Sequence, residues 1–200
     1  SKSMETTLDV VEGMEIERGF ASTYMALDTE RMTTDLVNPL ILVTDKAVHN
    51  LTDILLPLEI AVQAQKPVLL IADEISNEAL SQMIVNLKNG IMTCIGVKAP
   101  SFGEQRKEIL QDIAALTGGI LISDTYGVTF NDMTLEYFGT CSSAKITKES
   151  TTLAVEGSNP QLEERIAQIR NELEETTSEY VKESLENRLA KLSGGVAVIR

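Results

Sequence analysis

The sequence is poor in the residues on which many enzyme sites depend. It contains no tryptophan, one histidine and two cysteines, and aromatic residues make up 4% of its 200 residues. The histidine, His49, has no cysteine or serine motif near it, so we expect a surface or capping role rather than catalysis. One histidine and two separated cysteines cannot assemble the usual structural zinc site. Because a secreted scaffold of this size would usually carry more cysteines than Cys94 and Cys141, their number favours a reducing compartment.

Positive charge is scarce as well. The chain has 17 Lys and Arg against 30 Asp and Glu, which gives a formal net charge of -13. Such a surface is repelled by phosphate backbones and anionic lipids, so we expect no nucleic acid and no membrane among its partners. No apolar run approaches the roughly 18–20 residues of a transmembrane helix, and the N-terminus lacks the pattern of a signal peptide. Since the chain begins with Ser1 instead of Met, we expect an excised fragment of an intracellular protein.

Motifs for nucleotide binding are also missing, since the chain has neither a Walker-type loop nor a GxGxxG pattern. An enzyme of the doubly wound α/β class is one alternative, with its site near Asp73 and Lys98, because sites in such folds lie at strand ends. A solvated loop is the favoured interpretation of Asp73 and its neighbour Glu74. The loop 98–103 precedes a helix N-terminus, as phosphate sites do, but it offers one lysine and a rigid Ala-Pro.

Strand and helix patterns alternate through the middle of the chain. Four apolar runs have the length of buried strands, namely Leu40–Val43, Val68–Ala72, 91–97 and 120–123. Helical patterns lie between them at 48–65, at 77–88 with Ser76 or Asn77 as the cap, and at 104–116. This order predicts an α/β fold with a largely parallel sheet covered by helices.

The two ends of the chain have a different character. Residues 160–177 and 178–192 form two Glu-rich helical stretches with leucine and isoleucine stripes, which predict an antiparallel helical hairpin packed stripe to stripe or onto the sheet. The apolar runs 8–11 and 196–199 would form a stalk if they pair. Gly13 and Gly195 then lie at its root and make a natural hinge. We expect one domain over 1–200, with 1–13 and 194–200 as the stalk and hinge segments.

Two helices of the middle region carry more apolar surface than a sheet-covering helix needs. On the first, one stripe contains Leu51, Leu55, Leu58 and Val62, and an opposite stripe contains Leu56, Ile60 and Ala64. The second has a stripe of Leu80, Ile84 and Leu87 with Met83 beside it, while Val85 projects away from it. The alternative to an exposed groove between these helices is burial on all sides, as in a large core. Exposed apolar patches mark interaction sites, and hydrophobic burial makes little demand on sequence, so a groove would suit promiscuous binding.

Four segments resemble the sequence pattern of group I (GroEL-type) chaperonins. They read VVEGMEIERGF, EALSQMIVN, VKAPSFGEQRKEILQDIAALTGG and KLSGGVAVIR. The similarity runs through essentially the whole chain in order and corresponds to the apical, substrate-binding domain of that family. The nucleotide-binding motifs of the family's equatorial domain do not occur in this sequence.

The resemblance implies a chaperonin apical-domain fold, with β-sheets flanked by helices and a C-terminal helical hairpin. It also implies that a groove between two helices binds non-native polypeptides and the mobile loop of the co-chaperonin. The positions that match the family's binding residues are Phe20, Tyr24, Met25, Leu55, Leu58, Leu80, Ile84 and Val85. The fragment itself is then no enzyme and holds no cofactor or metal.

The resemblance implies further properties of the full-length parent. It is expected to bind ATP and Mg, to hydrolyse ATP and to form a homo-oligomeric ring, with the stalk leading to an intermediate domain. A bacterial cytoplasm fits best, and an organelle matrix or plastid stroma is the alternative location.

This sequence departs from the family pattern at several points. The family usually has proline at Thr23, a second aromatic residue at Met25, glycine at Ser101 and arginine at Asn89. The changes at Thr23 and Met25 leave open a specialised chaperonin paralogue with an adhesive or signalling role.

Overall fold

The computed structural model describes residues 6–157 and 159–199. The strands, in chain order, are β1 (Leu8–Val11), β2 (Gly13–Ile16), β3 (Thr34–Val37), β4 (Leu40–Val43), β5 (Ala47–Val48), β6 (Val68–Ala72), β7 (Glu74–Ile75), β8 (Cys94–Lys98), β9 (Gly139–Thr140), β10 (Ser143–Ile146), β11 (Thr151–Ala154) and β12 (Val196–Ile199). The α-helices are α1 (Leu55–Ala64), α2 (Asn77–Lys88), α3 (Gly103–Thr117), α4 (Pro160–Glu175) and α5 (Glu179–Ser193). The chain is therefore a mixed α/β protein whose sheets are flanked by helices.

The central sheet has the strand order β8-β6-β4-β9, in which β4, β6 and β8 are parallel and β9 is antiparallel. Every residue of β4 and β6 is buried, as their uninterrupted apolar sequences predict. The connections β4-α1-β6 and β6-α2-β8 step in the same direction across the sheet. Since such crossovers are right-handed, α1 and α2 cover the same face.

The structure corrects the predicted bounds of two strands of this sheet and of one helix that covers it. Residues 120–123 do not form a strand and make only a bridge between Ile122 and Thr44. The edge of β4 is occupied by β9, which pairs with Leu40 and Ile41. The predicted strand 91–97 begins only at Cys94, and the predicted helix 48–65 begins with a 3-10 turn at Leu51–Ile54 before α1.

A second, fully antiparallel sheet has the order β2-β11-β10-β3 and was not predicted. Each of its strands has four residues, and three of them mix Thr, Ser, Asp or Lys with apolar residues. β3 and β10 lie about 100 residues apart in the chain, so no local pattern brings them together.

The predicted pairing of the two chain ends is confirmed for residues 8–11 and 196–199, while residues 1–5 and 200 of the predicted stalk segments lie outside the described residues. β1 and β12 pair antiparallel, with Leu8 opposite Ile199 and Val11 opposite Val196. At its root, a methyl group added to Gly13 would lie 2.1 Å from the Leu153 carbonyl oxygen, so glycine permits a close backbone approach there. Gly195 has a φ of +71°, a left-handed conformation that other residues rarely adopt.

The C-terminal helices α4 and α5 form a helical pair that packs along α3. Ser178 caps α5 by accepting a hydrogen bond from the Val181 N–H. Apolar residues of both helices are buried in the core, namely Leu162, Ile169, Leu185 and Leu192. None of the helices within 6–157 and 159–199 has the length and apolar character needed to cross a membrane.

A buried ion-pair cluster ties this helical pair to α3. Asp112 accepts from Arg188 Nε at 2.7 Å and Nη2 at 2.8 Å, and from Arg165 Nε at 2.8 Å. Glu108 accepts from Arg165 Nη2 at 2.6 Å. Burial lowers the pKa of Arg188, but the hydrogen bonds and charge of Asp112 outweigh it and raise that pKa. The guanidinium is therefore held in its charged form.

Candidate binding groove

A groove of about 700 Å³ runs between α1 and α2. Its apolar lining residues are Leu51, Leu55, Leu58, Val62, Val85, Ile91 and Met92. Polar lining comes mainly from uncharged Asn, Gln, Ser and Thr side chains, and Glu59 is the charged residue among those that line it. We call this feature the α1–α2 groove.

The sequence of α1 supplies apolar residues to more than one face. Ile54, Pro57 and Ala61 are buried against the core, while Leu55 is 52% exposed at the groove. The helix ends where Gln65 adopts a left-handed φ of 55° just before Lys66 and Pro67. An apolar residue exposed beside a buried face is what remains when a helix packs on a sheet and has no cover on its outer side.

The start of α2 is fixed against the turn that precedes α1. Ser76 Oγ caps α2 by accepting from the Ala79 N–H at 3.1 Å, and it also donates to the His49 carbonyl oxygen. The Leu51 N–H donates to Gln82 Oε1 at 2.8 Å, which joins the two walls of the groove directly. These bonds hold the walls at a set separation, so the groove is preformed.

His49 lies at this junction and not in a catalytic cluster. Its backbone N–H donates to Asp53 Oδ2 at 3.0 Å, within the cap of the 3-10 turn at Leu51–Ile54. His49 is exposed, which agrees with the predicted surface role, while the cap of the turn is Asn50 and not His49.

Three of the predicted binding residues line the α1–α2 groove, namely Leu55, Leu58 and Val85. Leu58 is buried and contributes its outer surface to the floor. Val85 is 54% exposed on the wall formed by α2. The prediction that Val85 projects away from the main stripe of α2 is confirmed.

The other predicted binding residues do not line this groove. Met25 is 0% exposed and its sulfur accepts the Gly96 N–H at 3.3 Å, so its side chain does not face the groove. Leu80 is 7% exposed and Ile84 is half-buried, because their stripe faces the core. Phe20 is half-buried and bridges to Val97, whereas Tyr24 is exposed beside the buried Met25.

Ile91 and Met92 line the groove and were missed, because their apolar run with Cys94 and Ile95 predicted a strand. Gly90, with a φ of +68°, ends α2 and turns the chain back, and the Ile91 N–H donates to the Asn86 carbonyl oxygen. The glycine directly after a helix was the available signal that the strand begins later.

The alternative site near Asp73 and Lys98 consists of two ion pairs. Asp73 Oδ1 accepts from Arg106 Nη1 at 2.8 Å, and Lys98 Nζ lies 2.9 Å from Glu74 Oε1. Among residues 6–157 and 159–199, no group of three or more His, Cys, Asp or Glu side chains lies close enough together to hold a metal ion.

Both cysteines are free and buried. Cys94 begins β8 and Cys141 directly follows β9, so they lie at opposite edges of the central sheet. Burial raises the pKa of Cys94 to about 12 and that of Cys141 to about 12. Both thiols are therefore protonated at neutral pH, whereas a nucleophilic cysteine must be ionised to the thiolate.

Ser101 occupies a backbone position suited to glycine. Its φ is 63°, in the left-handed region where a side chain usually costs about 1–2 kcal/mol. The serine that stands here in place of the family's usual glycine therefore has a strained backbone conformation.

No protein-family model matches this chain.

Proposed function

We propose that the α1–α2 groove binds apolar segments of non-native polypeptides. The observation that carries this proposal is a preformed groove whose exposed walls are apolar on both helices, at Leu55 and Val62 on α1 and at Val85 on α2. Its polar lining is mostly uncharged, so it makes few directional demands on what it binds. The chain acts as a binding module, and ATP hydrolysis takes place in another part of the full-length parent.

The strength of such binding follows from apolar area. Each Å² of apolar surface removed from water contributes about 25 cal/mol, so a contact of about 300 Å² contributes roughly 7 kcal/mol before the cost of association. One groove then binds weakly and reversibly. Several grooves in a ring would hold one flexible chain much more tightly through multivalency.

The same proposal assigns the chain the apical-domain fold of group I chaperonins, as its sequence resemblance suggests. In the full-length parent, a homo-oligomeric ring would present the grooves, and the co-chaperonin mobile loop would compete with the bound chain for them. ATP and Mg, held in another part of the parent, would move this domain about the region of Gly13 and Gly195, by a shift between two populated states. A bacterial cytoplasm is the proposed location, with an organelle matrix or plastid stroma as the alternative.

The test uses the 200-residue chain without ATP, added to chemically denatured malate dehydrogenase while light scattering reports aggregation. We expect the chain to suppress aggregation, and Leu55→Ser/Val85→Ser to lose most of that effect. Both side chains are about half exposed, so these changes remove groove surface without opening the core. Leu80 and Ile84 are left intact because they face the core.

The matched control is Phe102→Ser/Val181→Ser, which replaces two exposed apolar residues that do not line the groove. We expect it to suppress aggregation like the unmodified chain, and all three proteins to melt at similar temperatures. Equal suppression by both double variants would show that the α1–α2 groove is not where the client binds.

A further inference from the structure

The α1–α2 groove does not end at α1. A second depression of about 380 Å³ shares the lining residues Val62, Ile91 and Met92 with it. Its remaining lining residues are Leu27, Asp35, Leu36, Val37, Ala61, Gln65, Lys66, Pro67 and Thr93. We call this continuation the side trough. The groove and the trough therefore adjoin at Val62, Ile91 and Met92.

One wall of the side trough is the open edge of a β-sheet. Among the residues that the structure describes, β3 is the terminal strand of the antiparallel sheet and pairs only with β10. The Asn38 N–H donates to the Ser142 carbonyl oxygen at 3.0 Å, and backbone groups alternate in direction along an antiparallel strand. The backbone groups of Asp35 and Val37 must therefore point away from β10, toward the trough.

The chain itself covers only the beginning of that edge. Asp28 and Thr33 exchange backbone hydrogen bonds of 2.9 and 3.2 Å, which occupies the outward groups just before β3. Within 6–157 and 159–199, no hydrogen bond reaches the outward backbone groups of Asp35 or Val37. The Val37 side chain is 70% exposed, and Leu27 and Ile91 are exposed nearby. An unpaired strand edge with apolar neighbours is a template for an added strand.

The charge of the groove, the trough and the whole chain indicates which kind of polypeptide can bind there. The charged residues that line the groove and the trough together are Glu59, Asp35 and Lys66, and the whole chain has a formal net charge of -13. An acidic occupant, including a second copy of this chain, would be repelled. A neutral or basic chain with apolar residues matches this surface.

We propose that the side trough binds the extended continuation of the non-native chain held in the α1–α2 groove, as an added strand on the edge of β3. This inference rests on the proposed function and refines its substrate class. The preferred client segment is uncharged or basic, apolar, and extended beyond its contact with the helices. Backbone hydrogen bonds to Val37 and Asp35 need no particular side chain, so the added strand would increase affinity without requiring a defined sequence motif.

The experiment compares two fluorescent peptides by anisotropy. The short peptide is a Leu-rich segment that fills only the α1–α2 groove, and the long peptide adds an extension of alternating Val and Thr. We expect the long peptide to bind about tenfold more tightly, as one or two net hydrogen bonds would give. A version of the long peptide with N-methylated extension amides should lose this gain.

Val37→Pro tests the strand edge in the protein. It removes the outward N–H while the pairing of β3 with β10 stays intact, and edge strands tolerate proline. We expect Val37→Pro to bind the long peptide only as well as the short one, with short-peptide affinity unchanged as proof of folding. Val37→Ala is the matched control, because it shortens the side chain and keeps the N–H, so most of the gain should remain.

The outcomes separate this inference from the proposed function. If the short peptide binds and Leu55→Ser abolishes its binding, the α1–α2 groove is confirmed. A long peptide that then gains nothing, or whose gain survives Val37→Pro, overturns the side trough alone. A short peptide that does not bind overturns both. Concentration-dependent dimerisation that Val37→Pro abolishes would make a second copy the occupant and also overturn the inference.

Discussion

At the level of single residues, the buried Asp112 joins both helices of the C-terminal pair to α3. It contacts both Arg188 and Arg165, whereas Glu108 contacts the same arginines from a half-exposed position. We expect Asp112→Ala to lower the free energy of unfolding by about 3–5 kcal/mol, because it leaves a buried guanidinium without its carboxylate. Urea unfolding of the 200-residue chain measures this directly.

Glu108→Ala is the control for the same network. Since the side chain of Glu108 is 48% exposed, its loss should cost at most about 1 kcal/mol. Equal effects of the two substitutions would contradict the idea that Asp112 alone carries the buried charge balance.

The predicted binding residues show how far a sequence can identify the residues that line a groove. Leu55 and Val85 were predicted to be candidates and do line the groove, because each lies off the face that packs on the core. Met25 and Leu80 carry the same apolar character but are buried. A helical wheel identifies apolar stripes, but only the position of the neighbouring elements decides which stripe faces the core.

At the scale of elements, the predictions succeeded where the residues of each element carry a clear apolar or capping pattern, as the apolar runs at both chain ends do. The strands Leu40–Val43 and Val68–Ala72, the cap of α2 at Ser76 and the pairing of the two chain ends are all confirmed. The antiparallel sheet was missed, because short polar strands such as β3 and β10 are strands only when distant segments pair. The open edge of β3, and with it the side trough, was therefore beyond sequence reasoning.

The root of the stalk carries a prediction about this element. In Gly13→Ala, the new methyl group would lie 2.1 Å from the Leu153 carbonyl oxygen and 2.5 Å from Val196 Cγ2. We expect thermal unfolding to show a loss of more than about 2 kcal/mol, because overpacking forces the backbone apart. A proline at this position would meet the same obstruction, so it would disturb the fold before it tested a hinge.

Gly90→Ala is the matched comparison. It has a left-handed φ of +68° and nothing within 4 Å of an added methyl group, so only the conformational cost of about 1–2 kcal/mol applies. If Gly13→Ala proved as stable as the unmodified chain, the close approach at the stalk root would have room to relax.

At the scale of the whole molecule, one preformed feature combines exposed apolar walls with an open strand edge. The α1–α2 groove and the side trough share Val62, Ile91 and Met92, so two elements of different kinds, a helix pair and a sheet edge, border one continuous surface. The ion pairs at Asp73 and Lys98 lie outside it. The position of these ion pairs leaves the whole of this surface available to the binding that we propose.

The proposed binding of non-native chains in the α1–α2 groove can be observed directly in the methyl NMR spectrum of the 200-residue chain during titration with an unfolded client. We predict the largest shifts at Leu55, Val62 and Val85, with none at Val181, an exposed apolar residue away from the groove. The largest shifts at Val181, or no shifts at the three groove residues, would show that the client does not bind in the α1–α2 groove.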